Sequence, residues 1–208
     1  MKYFFDTEFI EGFRKPLFGK RSHFIDLISI GIVSETGKQL YFVSNEYSYK
    51  DADDWVKENV ILPLYISMVH GEQRNRLTVK NFHKVLGISN KEIAEQVAIF
   101  CECFRDQLYW RTNKETEFYA YYADYDWVVF CSLFGRMIDL PKGFPMYCKD
   151  LKQMMDETLQ SCNKTVKYKL EFIKKYHSGY PKQENEHTAL GDAKWNFKLF
   201  EFVKKCRV

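Results

Sequence analysis

The alternation of apolar and polar positions predicts that the chain opens on a β-strand. Tyr3-Phe4-Phe5 is a short apolar run that leads into Asp6-Thr7-Glu8, where the strand is expected to end. Phe24–Ser34 (FIDLISIGIVS) is apolar on both faces and rich in β-branched residues, as a strand buried between two layers should be. Glu35-Thr36-Gly37-Lys38 supplies a turn and Gln39–Ser44 (QLYFVS) a returning strand, so the first three strands predict an antiparallel meander. From Asp51 to Gly87 the pattern is mixed, with helices expected near Asp53–Asn59 and Val79–Leu86. Asn90–Phe104 carries apolar residues at helical spacing, with Asn90 as N-cap and Glu92 in the first turn.

The second half alternates. Glu117–Ala123 reads as a strand pairing with the opening one, Tyr125–Phe134 as a helix, Met146–Lys149 as a last strand and Asp150–Leu159 as a helix. From about Thr188 to Cys206, Trp195, Leu199 and Phe202 recur at i, i+4 and i+7, the signature of an amphipathic helix packed on the sheet. With no repeats and no Pro/Gly-rich linker, this order predicts an α/β fold in a single domain, residues 1–208. Its mixed β-sheet combines an antiparallel meander with parallel strands and is flanked by helices.

Composition narrows the class. A chain of 208 residues with 46% hydrophobic content is long enough and apolar enough to bury a full core. No signal peptide and no membrane-spanning stretch is expected. The six cysteines include no CxxC pair, which argues against a zinc ribbon and fits reduced thiols in a soluble, cytoplasmic protein. Net charge is only +3, but nine lysines face four acids between Lys142 and Lys182, and Arg14, Lys15, Lys20 and Arg21 form a second basic cluster. Such clusters either track a phosphate backbone or form a solvated face.

The chemistry lies in the acids. Residues i and i+2 of a strand share a face, so Asp6 and Glu8 stand side by side, and like charges that close repel unless a cation lies between them. They are either a polar strand end in water or half of a divalent-metal site. Asp124 and Asp126 fall where a strand gives way to a helix, the usual place for a crevice in an α/β sheet. Asp192 lies inside an apolar helical pattern, costly unless it is paired or holds a cation. His187 is five residues earlier, about 140° around a helix of 3.6 residues per turn, so it belongs on the loop ahead of the helix.

DTE on a first strand, Tyr125-Asp126 opening a later helix, and His187-Thr188-Ala189-Leu190-Gly191-Asp192-Ala193 together resemble the three motifs of the DEDDh 3′–5′ exonucleases of the ribonuclease H-like superfamily. FFDTEFIE with IDLISIGIVSETGKQLYFVS is most similar to the branch of mycobacterial-type poly(A)-specific exoribonucleases. The resemblance runs from Met1 to about Phe200, weakest between Tyr49 and Asn113. It implies a ribonuclease H-like sheet, Asp6, Glu8, Asp126 and Asp192 as metal carboxylates, and His187 as general base. Two departures stand out. Many relatives have Asn four positions before the third acid, where this chain has Tyr122, which leaves Asp124 as a competing candidate. The loop Glu11–His23 also looks longer and more basic than in close relatives.

The resemblance further implies a site binding two Mg²⁺ or Mn²⁺ ions and hydrolysing phosphodiesters from a free RNA 3′ end to release nucleoside 5′-monophosphates. Phe9 and Ile10 are candidates for contact with the terminal base, or core residues. A homodimer is expected by analogy with relatives. A proofreading-type DNA exonuclease and a catalytically silent nucleic-acid-binding relative are the alternatives, while the absence of HExxH argues against a zinc hydrolase.

Overall fold

The computed structural model describes residues 1–14, 19–101, 115–160 and 179–206. β1 (Lys2–Arg14), β2 (Ser22–Ser34) and β3 (Gln39–Val43) form the expected antiparallel meander. β4 (Glu117–Ala120) and β5 (Lys149–Asp150) add in parallel on the other side of β1, giving a five-stranded sheet in the order β3-β2-β1-β4-β5. The expected mixed α/β sheet is therefore present.

The helices are α1 (Asp54–Val56), continued through a π-helical turn (Lys57–Ile61) into α2 (Leu62–Met68), then α3 (Phe82–Leu86), α4 (Asn90–Phe100), α5 (Ala123–Ser132), α6 (Leu151–Gln160) and α7 (Ala189–Cys206). Among the described residues, no helix is long and apolar enough to cross a membrane. Tyr3, Phe5, Ile30, Ile32 and Phe118 pack against α4 and α5 on one face of the sheet. Phe4 and Tyr119 turn to the other face, against Trp195, Leu199, Phe200 and Phe202 of α7.

Several boundaries differ from expectation. β1 does not end at its acids; it pairs with β2 as far as Arg14. The neighbour that stops is β4, which pairs with β1 only over Lys2–Phe4. The two ends of the expected basic loop Glu11–His23, Glu11–Arg14 and Ser22–His23, are therefore paired strand, and Arg14 there is committed to ion pairs with Asp26 and Asp51. The N-cap of α4 is Ser89, not Asn90: the Ser89 hydroxyl accepts from the Glu92 amide at 3.2 Å and Glu92 accepts in return from the Ser89 amide at 2.9 Å. Asn90 instead accepts from the Ser44 hydroxyl at 2.7 Å. The helix at Asp53–Asn59 is longer than its pattern, extending through to Met68. β4 stops at Ala120, and the last strand starts only at Lys149. Cys131 and Cys148 are free thiols. Cys103, Cys162 and five of the nine lysines of the lysine-rich stretch lie outside the described residues.

Candidate active site

Because β4 ends opposite Phe4, the following stretch of β1 borders a crevice at the C-terminal edge of the parallel strands. Asp6 and Glu8 share the Phe4 face and point toward α7. There Asp192 joins them: ligand oxygens of Asp6, Glu8 and Asp192 all lie within 4.8 Å of one another.

Two local features bring α7 this close. The Asn196 side-chain amide, one turn beyond Asp192, donates to the Phe5 carbonyl at 2.9 Å. Gly31, the register partner of Asp6, has no side chain where α7 begins; a Cβ there would overlap the Ala189 carbonyl and the Leu190 amide.

Asp126 enters from α5. It is 7% exposed, and its Oδ1 accepts from both the Thr7 amide (2.8 Å) and the Thr7 hydroxyl (2.5 Å). Thr7 lies between the two strand acids in sequence but projects to the opposite face, so β1 presents acids on one side and an anchor for Asp126 on the other. Asp124 is exposed and takes no part in these contacts. Of the two candidates it is Asp126 that the fold turns inward. Tyr122, where the resemblance leads one to expect Asn, is left-handed with φ 55° and is 63% exposed. Asn tolerates that conformation more readily than Tyr.

Asp192, 9% exposed, accepts from the Gln183 amide at 2.6 Å on one oxygen and from the His187 backbone N–H at 3.0 Å on the other. His187 sits, as expected, on the loop ahead of α7, itself left-handed with φ 62°. Its exposed ring lies edge-on to Trp55, with centroids 4.9 Å apart and planes at 81°. Phe9 stacks on Tyr125 at 6.1 Å, flanking Asp126. Ile10 corrects the sequence reading: at 1% exposure it packs with Ile28, Val43 and Phe82, and its side chain is a core element with no surface for a base.

The electrostatics are those of crowded anions. Burial, then Asp126, Glu8 and Asp192, push the Asp6 carboxyl well above its ordinary range. Burial, then Asp192 and Asp126, push Glu8 up to about 8. Asp126 is raised by burial to about 6 even though the Thr7 bonds favour its charged form. Asp192 is raised by burial against the pull of Gln183 and the His187 amide. Such a cluster is stable in its charged form only beside a cation. Hard divalent ions sit about 2.0–2.6 Å from oxygen ligands, so donors within 4.8 Å of one another fit around one.

Thr7, Gln183 and Trp55 were not singled out from the sequence. Thr7 is hidden by its neighbours, and only the strand's alternation marks it as facing away from them. Gln183 and Trp55 lie outside every motif.

Residues 1–204 match the model of the 3′–5′ exoribonuclease Rv2179c-like domain. The chain is also 28% identical over 206 residues to two Mycobacterium tuberculosis proteins, 3′–5′ exoribonuclease Rv2179c of strain H37Rv and 3′–5′ exoribonuclease MT2234.1 of strain CDC 1551. Each alignment covers 98% of this chain and 93% of the relative.

Proposed function

The chain belongs to the 3′–5′ exoribonuclease Rv2179c-like domain family, and from that premise we propose that it removes nucleotides one at a time from RNA 3′ ends by DEDDh-type hydrolysis. The observation that carries this reading is the convergence of Asp6 and Glu8 from β1 with Asp192 from α7, their oxygens within 4.8 Å. With Asp126 beside them, these residues hold Mg²⁺ or Mn²⁺. Two bound ions would supply Lewis-acid polarisation of the scissile phosphate and of the attacking water.

The chain's own groups do the rest. His187 takes the proton of the attacking water, a task matched to an imidazole near neutral pH. Its placement suits this role: it is exposed at the rim, tethered through its amide to Asp192, and backed by Trp55. The Thr7 and Gln183 bonds fix the orientations of Asp126 and Asp192, as outer partners of ligating carboxylates do. The Phe9–Tyr125 stack offers an aromatic face to a terminal base irrespective of its identity. The full set of four acids and a histidine favours an active enzyme over a silent binding relative.

The test follows 5′-labelled single-stranded RNA and DNA on a denaturing gel with Mg²⁺ or Mn²⁺, beside EDTA and Asp192→Asn lanes. Stepwise shortening of RNA from its 3′ end, absent in both controls, is expected. Equal shortening of DNA would move the assignment to a general 3′–5′ exonuclease. Binding without cleavage would leave a nucleic-acid-binding protein.

A further inference from the structure

Behind the acid cluster, between α7 and the loop that precedes it, lies an open cavity of about 430 Å³ whose wall carries Lys182, Lys194 and Lys198. Among the described residues no ion pair joins any of the three to a carboxylate, although Glu184 lines the same cavity. Lys194 and Lys198 stand one helical turn apart, where like charges repel. The arrangement makes physical sense if an anion lies across them.

The chain on either side of Lys182 is held in place. The residues on either side of Lys182 are both fastened to α7: the Trp195 indole donates to the Pro181 carbonyl at 3.1 Å, and Gln183 donates to Asp192 at 2.6 Å. Trp195, 6% exposed, is locked into the core beneath. Lys182 therefore projects from a pinned backbone beside Lys194, so a ligand bridging the loop and the helix has little backbone left to order.

None of the four acids lines the cavity, but its wall is linked to them through neighbouring residues. Gly191, in its wall, immediately precedes Asp192. Tyr41, on the opposite wall, shares a hydrogen bond with Ser29, the register partner of Glu8, and feels the Glu8 charge. A phosphodiester chain with its terminal linkage at the acids must carry its remaining phosphates away from four carboxylates, and this cavity offers three lysines that, among the described residues, have no ion pair.

We propose that the Lys182–Lys194–Lys198 cavity is a subsite for the phosphates of the RNA strand 5′ to the cleaved linkage. This rests on the exoribonuclease reading above. It makes affinity depend on substrate length, because a dinucleotide has no phosphate to place in the cavity.

The test compares the full chain with its Lys182→Gln/Lys194→Gln/Lys198→Gln variant on a 12-nucleotide RNA and on a dinucleotide. For the long substrate, KM is expected to rise about tenfold. The slope of log affinity against log salt should become shallower by about 2, since each single-strand phosphate contact contributes about 0.7. Dinucleotide turnover should be unchanged. A long-substrate KM and salt slope that stay at wild-type values would overturn the subsite, as would an equal loss on both substrates, which would place the lysines in the catalytic centre or in folding. Fluorescence anisotropy of the same 12-mer on Asp192→Asn, with and without the lysine changes, decides the question separately from catalysis. If the wild type cleaves neither RNA, the exoribonuclease reading fails while a lysine-dependent loss of binding still supports the subsite. Equal binding with and without the lysines overturns it.

Discussion

Thr7 donates twice to one oxygen of Asp126, once from its backbone and once from its hydroxyl, across a sequence separation of 119 residues. The pair ties the first turn of α5 to β1 at the point where β4 has ended. Thr7→Val keeps the backbone bond and the side-chain shape but removes the hydroxyl. Activity is expected to fall about 10–100-fold, the range typical of lost outer partners of metal ligands. Steady-state kinetics with a Mn²⁺ titration would check this. An unchanged kcat and metal dependence would mean that the backbone bond alone orients Asp126.

The acid cluster should be a stability defect in the absence of metal. Asp6→Asn removes one of the crowded charges, so the metal-free variant should melt higher than the wild type while losing 3′-trimming activity. For a chain of this size each kcal/mol gained corresponds to about 2–4 °C in Tm. Calorimetry in EDTA decides it: a lower melting temperature would show that the cluster is held by bonds that outweigh its repulsion.

The same repulsion sets a pH dependence. Glu8 is pushed up to about 8 and Asp126 to about 6, while unfolded carboxylates titrate near pH 4. Between these limits the folded chain binds more protons than the unfolded one, so metal-free stability falls as pH rises. His83, lowered to about 4 chiefly by burial, acts in the opposite sense below its ordinary value. The comparison therefore belongs between about pH 6.5 and 8, on the basic side of an ordinary histidine. There the metal-free Tm should drop with pH, and saturating Mg²⁺ or Mn²⁺ should flatten the trend. Metal affinity should rise over the same interval as the competing proton leaves. Thermal melts and calorimetric metal titrations across that range test both.

Gly31 is required by the approach of α7. In Gly31→Ala the new methyl would meet the backbone at Ala189 and Leu190, which has no rotamer with which to yield. A loss of about 1–3 kcal/mol, typical of overpacking, is expected from denaturant titration, with a fall in activity as Asp192 is pushed from Asp6 and Glu8. A fully active, equally stable variant would show that α7 can shift without disturbing the site.

Much of this molecule is readable from local chemistry. The alternation in β1, the two-sided apolar run of β2 and the i, i+4, i+7 stripe of α7 identify their elements because each periodicity has one solution that buries its apolar face. The placement of His187 ahead of a helix and Asp192 within it follows from helical geometry alone. Where local signals compete, the boundaries move: Ser89 and Asn90 both make good caps, and the backbone bonds at Ser89 decide between them. The acids of β1 look like a strand end because charge commonly stops a strand, but here β2 continues to pair on one side while β4 withdraws on the other.

What the sequence by itself determined is the set of chemical groups, the strand and helix faces that carry them, and the expectation that paired acids call for a cation. What only the tertiary structure decided is which groups meet. Asp126 is turned inward over Asp124 by two bonds from a threonine on the far side of β1, Ile10 is drawn into the core, and Gln183 and Trp55 are brought to Asp192 and His187. All of these but the Gln183–Asp192 bond, nine residues apart, join residues distant along the chain. They depend on how closely one backbone can approach another, as Gly31 allows α7 to approach β2, and no local periodicity records that distance.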